Sequence, residues 1–200
     1  YEKLGMVTRY STIEAEMNAA IEAGATGVLF VIDSPGGTVN GMEELTNAIK
    51  LASIPTAAFA KGYATSAAYA VATSADFIMA SPSATVGNIG TILTWTDCTA
   101  FWANMGIEMK AITNEGASLK STFHLEPNEE QLAFLQETID EMGESFKQHV
   151  TETRAAAGAT VDPVVFKAAW YSSARAEQLG LIEGIGSIEE ARQELASRVG

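Results

Sequence analysis

Ser66 lies in "KGYATSAAYAVATSAD", residues 61–76, where small residues crowd one hydroxyl between an apolar run and an alanine-rich segment. A serine held at a strand-to-helix turn can present its Oγ to a carbonyl, as in a nucleophile elbow, although the G-x-S-x-G spelling is absent. The small neighbours leave room for that carbonyl, and the N–H of Ala67 would point near it. The competing reading is an N-cap serine, whose hydroxyl only satisfies the first N–H groups of the helix. A second stretch, "DSPGGTVNG" at residues 33–41, also follows an apolar run. Pro35 stiffens its turn, and Gly36 and Gly37 let the backbone approach a ligand closely. Two N–H groups there suit an oxyanion, but an ordinary strand-to-helix turn can be spelled the same way.

A nucleophilic serine needs a base. Of the two histidines, His124 in "STFHLEP" is the candidate for a Ser–His pair, and His149 falls on a long helix where a solvated position is expected. Lysine is the other option, if burial lets its amine shed the proton. Lys120 in "NEGASLKSTF" sits among small and apolar residues, whereas Lys110 in "GIEMKAIT" is expected in a strand, facing solvent. Spacing alone does not choose between His124 and Lys120.

The elements that must carry these residues alternate. "STIEAEMNAAIEAG" reads as a helix opened by a Ser11–Glu14 capping box and closed by Gly24. "TGVLFVID" is a buried strand, and "NGMEELTNAIKLAS" is a second helix with an Asn40–Glu43 box. "TAAFA", the Ser66 segment and "DFIMA" give strand, helix and strand, so the sheet is expected to be parallel. Asp76, just before that third strand, is expected to hold a neighbouring loop. Leu132, Leu135, Ile139, Met142, Phe146 and Val150 recur at spacings of three and four, the stripe of one long amphipathic helix. Asp162-Pro163 starts a short helix, Gly180 ends another, and Ser187 with Glu190 caps the last. The expected fold class is α/β with a helical C-terminal portion, in one domain over residues 1–200.

With 47% hydrophobic and 18% charged residues the chain can build a core, which excludes disorder. The formal net charge of −13 repels phosphate backbones and anionic membranes, so no nucleic-acid partner is expected. One cysteine, Cys98, excludes an intrachain disulfide and a Cys-rich zinc site. The acidic residues are scattered, no phosphate-loop spelling is present, and no metal or other cofactor is expected. No apolar run is long enough to span a membrane, so a soluble protein is expected.

Taken together, "VIDSPGG", "KGYATSAAYAVATSAD", "SPSATVGNIGTI", "GASLKS" and "ARAEQLGLIEGIGSIEEA" resemble the signal peptide peptidase A family of serine proteases. That family belongs to the Clp protease/crotonase fold of repeated β-β-α and βαβ units. The resemblance runs from about residue 11 to 192 and is most like the soluble phage branch, whose members act as prohead proteases. It implies a Ser-Lys dyad with Ser66 as nucleophile and Lys120 as general base, followed by Ser121 as in the family's Lys-Ser pair. It implies an oxyanion hole at Gly37, with Gly36, and Ala67. In "VGNIG" the family's usual hydroxyl is replaced by Asn88, whose amide can also hydrogen-bond an amine. The family's two glycines after the nucleophile are Ala67 and Ala68 here. The Clp branch proper uses a Ser-His-Asp triad whose histidine would fall in "NIGTILTW", where none is present. The family's first strand is poorly spelled before Ser11, so a truncated N-terminal strand is expected.

The implied function is cleavage of extended polypeptides, in phage capsid or scaffold processing, in the host cytoplasm or the assembling prohead. The implied partners are a polypeptide substrate and further copies of the chain in a homo-oligomer. Two other classes remain: a catalytically inactive assembly module on the same fold, and a crotonase-like acyl-CoA enzyme that would need neither Ser66 nor Lys120.

Overall fold

The computed structural model describes residues 8–120 and 125–199. Ser121 and His124 lie outside the described residues. The chain divides into two compact units, residues 1–90 with 146–200, and residues 91–145.

The first unit opens with α1 (Tyr10–Glu22), β1 (Val28–Ser34), α2 (Met42–Lys50), β2 (Thr56–Thr65), α3 (Ala67–Thr73), β3 (Phe77–Ala80) and β4 (Thr85–Gly87). The second unit holds α4 (Thr99–Asn104) and the first turns of α5 (Glu129–Ala156), the long helix that the apolar stripe predicts. The first unit resumes along α5 and closes with a 3₁₀ turn (Pro163–Lys167), β5 (Trp170–Ser172), α6 (Ser173–Gln178), β6 (Gly184–Ile185) and α7 (Ile188–Arg198). No helix among the described residues is long and apolar enough to cross a membrane.

β2 is the spine of the sheet, whose order is β5-β4-β2-β3-β6 with β1 also on β2. β1, β3 and β4 all run parallel to it, as the alternating pattern predicts. Being flanked on both sides, β2 is buried from Thr56 to Ala60 and uses alanine at Ala57, Ala58 and Ala60. Every residue of α3 is buried, which explains its run of small side chains: only these allow a helix to lie this close to strands. Asp76 ties down the start of β2 as expected, since its Oδ2 accepts from Thr56 N at 2.7 Å.

Of the three expected capping boxes, only the last forms, with Ser187 Oγ accepting from Glu190 N and Glu190 Oε2 accepting from Ser187 N at 2.7 Å. α1 instead starts at Tyr10, which places Ser11 inside the first turn. Tyr10 is needed there, because its hydroxyl donates to Thr38 O at 2.8 Å and packs on the 36–41 loop. α2 starts after Gly41, held at φ 83, so Asn40 lies outside it. Lys110 lies in irregular chain, paired with Glu108 at 3.1 Å, and not in a strand.

Three contacts hold the outer elements to α3 and the sheet. The Tyr69 hydroxyl, fully buried, donates to Leu181 O at 2.8 Å, and burial raises its pKa. Arg154 on α5 is buried; its Nη2 lies 2.6 Å from Glu183 Oε1 and its Nε donates to Gly180 O at 3.0 Å. Glu183 Oε2 in turn accepts from Ile78 N at 2.6 Å, so this ion pair is bonded on both sides. His149 is half-buried rather than solvated, because α5 lays it on the last turn of α3. There its Nε2 meets Ala70 O at 3.0 Å, a carbonyl that also accepts from the Thr73 and Ser74 hydroxyls.

Burial lowers the His149 pKa; Lys50 adds to this, and the Ala70 carbonyl, Glu152 and Glu43 oppose it. A group depressed in the folded state binds fewer protons there than when unfolded. Its stabilising contribution is therefore complete above about pH 6.5 and is lost as the pH falls through the folded value. Urea unfolding at pH 7.5 and pH 5.5 is expected to show a loss in the wild type that is smaller in His149→Gln. The glutamine amide donates to Ala70 O without titrating.

Candidate active site

β2 delivers Ser66 at its carboxyl end, and the backbone there is unusual. Ser66 has φ 55 and ψ −130, a conformation that only glycine adopts without strain. The turn is sharp because β2 must hand over within one residue to α3, lying back on the sheet. Ser66 N donates to Gly87 O at 2.8 Å, and Ser66 O accepts from Tyr69 N and Ala70 N. The backbone is thus fixed from both sides. Ser66 occupies the N-cap position of α3, yet its side chain makes no capping hydrogen bond. The N-cap reading is therefore not realised, and the hydroxyl is left half-buried at the turn.

Gly36 sits directly against it. A Cβ at Gly36 would lie 2.8 Å from Ser66 Cβ and 3.2 Å from Ser66 Oγ, and its φ of 123 also favours glycine. The Ser34 hydroxyl folds back on the same turn, 3.2 Å from both Gly36 N and Gly36 O. Gly37 faces α1: a Cβ there would be 3.0 Å from the Tyr10 hydroxyl. Among the described residues, the Gly37 and Ala67 amides donate to no other group. Burial raises the Tyr10 pKa, which keeps its phenol a neutral donor to the loop.

Asn88 follows Gly87 and is itself left-handed at φ 56, with its N donating to Ala169 O at 2.8 Å. Ala168, at φ 57, completes the set; Ser66, Asn88 and Ala168 are the positive-φ residues other than glycine among the described residues. The three are joined through Gly87 O and Ala169 O, so the strained backbone gathers around one serine. Sequence reading missed Ala168 because nothing in "KAAWYS" signals a left-handed alanine. Gly90 carries a trace of it, since a Cβ there would lie 2.8 Å from Ala168 Cβ.

Ser66, Gly36, Gly37, Ala67 and Asn88 all belong to the first unit, and Lys120 belongs to the second. Lys120 ends the turns from Asn114, with Ala117 N donating to Asn114 O and Lys120 N to Ala117 O. Gln131, in the first turn of α5, anchors this segment through Nε2 to Ser118 O at 3.1 Å. Gln131 also forms a reciprocal cap with Asn128: Gln131 N donates to Asn128 Oδ1 and Asn128 N to Gln131 Oε1. The Lys120 side chain is exposed. Among the described residues no group of His, Cys, Asp or Glu could hold a metal ion.

A sheet whose strands run parallel around β2, with β5 antiparallel at one edge, and whose central strand turns into a buried helix has the Clp protease/crotonase fold. Two solved structures share this fold, both of the membrane-bound stomatin-specific protease 1510-N. A serine-to-alanine variant matches with a TM-score of 0.57 at 16% identity, over 92% of this chain and 76% of that one. A lysine-to-alanine variant in complex with a substrate peptide matches with a TM-score of 0.55 at 17% identity, over 90% and 70% of the two chains. The sequence itself goes further: residues 48–200 match the model of peptidase family S49, and the chain belongs to that family.

Among curated relatives, a Methanocaldococcus jannaschii protein whose name proposes a protease is 28% identical over 84% of this chain. Protease 4 of Salmonella typhi is 25% identical over 95% of it. The chain spans 55% of the first relative and 31% of the second.

If the Ser66 backbone is strained as described, glycine relieves it and alanine does not. Ser66→Gly is expected to be about 1 kcal/mol more stable than Ser66→Ala, the strain relieved exceeding the added entropy of an unfolded glycine. Urea unfolding of the two variants measures the difference.

Proposed function

We propose that this chain is a serine endopeptidase in which Ser66 is the nucleophile and Lys120 the general base. The observation that carries the reading is the Ser66 turn: a strained backbone, a hydroxyl not used for capping, and Gly36 packed against it. Membership of family S49 supports the peptidase class, and the solved proteases of this fold were studied with a serine and a lysine replaced.

Ser66 Oγ attacks the carbonyl carbon of the scissile bond while the neutral Lys120 amine takes its proton. The tetrahedral oxyanion is held by the N–H groups of Gly37 and Ala67, with Gly36 as the alternative donor on the loop. Each such donor contributes about 3 kcal/mol in sites of this kind. Collapse breaks the C–N bond, and Lys120 returns the proton to the leaving amine. Water then repeats the cycle on the acyl-enzyme. By the sequence resemblance, Asn88 stands where the family has a hydroxyl that helps hold the lysine, and Ser121 completes the family's Lys-Ser pair in sequence. Substrate binds as an extended strand beside the Gly36–Gly37 turn, where main-chain hydrogen bonds give affinity.

The narrower form of the proposal, processing of a capsid or scaffold polypeptide by a phage-encoded homo-oligomer, rests on the sequence resemblance to prohead proteases.

The test is turnover of a casein-derived peptide mixture. Ser66→Ala is expected to abolish cleavage, and Lys120→Ala to lower kcat/KM about a thousandfold, partly restored by added methylamine. Wild-type rates in Lys120→Ala would remove lysine from the mechanism.

A further inference from the structure

At Lys61–Gly62, β2 changes partner on one side, from β3 to β4, and on the other side its pairing with β1 is interrupted. Up to Ala60 it pairs with β1 through Ile32 and with β3 through Ala80. From Tyr63 onward it pairs with β4 through Thr85, and β1 rejoins it only at Ser34, opposite Ala64. One residue of β1, Asp33, therefore stands against three of β2, and the backbone ladder is broken between them.

The Asp33 side chain fills that break. Its Oδ1 accepts from Tyr63 N at 2.9 Å, taking the place of a strand carbonyl. Gly62 provides the space: a Cβ there would overlap Asp33 Oδ1 and lie 2.8 Å from Asp33 Cγ. Gly62 does not have a left-handed φ, so what the position requires is room and not conformational freedom. Downstream of this joint the two strands deliver the two partners of the site. Gly36 comes three residues after Asp33, and Ser66 four residues after Gly62.

We propose that Asp33 is a positioning residue, whose carboxylate locks the bulge and thereby fixes the Gly36 backbone against Ser66. The proposal rests on the reading of Ser66 as the nucleophile. It requires an acceptor at Oδ1 and not a charge, because the group it serves is a backbone N–H. A solvated aspartate with no such task would require neither the glycine opposite nor an acceptor at this atom.

The full chain is tested as Asp33→Ala, Asp33→Asn and Gly62→Ala. Two measurements are made: peptide turnover resolved into kcat and KM, and amide exchange at Tyr63. Asp33→Ala is expected to lower kcat roughly 10- to 100-fold with little change in KM, since a small misplacement of reacting groups costs this much. Asp33→Asn keeps the acceptor and is expected to stay within about threefold of wild type. Gly62→Ala is expected to follow Asp33→Ala, because its methyl displaces the carboxylate. Exchange at the Tyr63 amide rises roughly tenfold or more in Asp33→Ala and stays slow in Asp33→Asn.

Unchanged turnover in Asp33→Ala, or equal losses in the alanine and asparagine variants, overturns the proposal. If the wild type cleaves nothing, the peptidase reading has failed, and the exchange data alone decide whether Asp33 locks the bulge. Equal Tyr63 exchange in wild type and Asp33→Ala then overturns it.

Discussion

Ser66 is held with φ 55 and ψ −130 at the point where β2 turns into α3, and the surrounding structure serves to keep it there. A non-glycine residue in this conformation costs about 1–3 kcal/mol and persists only where its surroundings over-determine it. Here they do. The serine N–H is bonded to Gly87 O, its carbonyl starts α3, and α3 is buried along its whole length. The alanines of β2 and α3 follow from the same constraint, because larger side chains would hold the helix away from the strands and open the turn.

The elements beyond the turn extend this hold. Tyr69 pins α3 to the 179–182 segment, Arg154 and Glu183 join α5 to β3, and His149 closes the last turn of α3. α3 is thus fixed through Tyr69 and Ala70, and the sheet beside it through the Arg154–Glu183 pair. Lys120 is held by a different set of contacts, the Asn114–Lys120 turns and Gln131 on the head of α5. The nucleophile and the base of the proposed dyad therefore come from separately built units.

The alternation of apolar runs with capped, amphipathic segments made β1, β2 and β3, their parallel pairing and the long α5 legible in the sequence, whereas β4, β5 and β6 are too short to carry a pattern, and β5 pairs antiparallel. Family membership was legible in the order of five segments. Two helix starts were not, because the packing of Tyr10 and the left-handed Gly41 override the local Ser11 and Asn40 signals. The position of Ser66 at a strand-to-helix turn was readable from "GYATSAAY". Its strain was not, since it arises from the tertiary bond to Gly87 and the burial of α3. His149 gave no sign of its task because its partner carbonyl, Ala70, lies 79 residues away. The Asp33–Gly62 joint was likewise invisible, being a matter of strand register that no local pattern records.

The most direct test of the central claim, that the Ser66 turn presents an activated nucleophile, is adduct mapping. The full chain is treated with a fluorophosphonate and the modified residue is located by peptide mass spectrometry. A single adduct on Ser66, absent in Lys120→Ala, is the predicted result. An adduct on a different serine, or peptide cleavage by a chain that labels nowhere, would contradict the account.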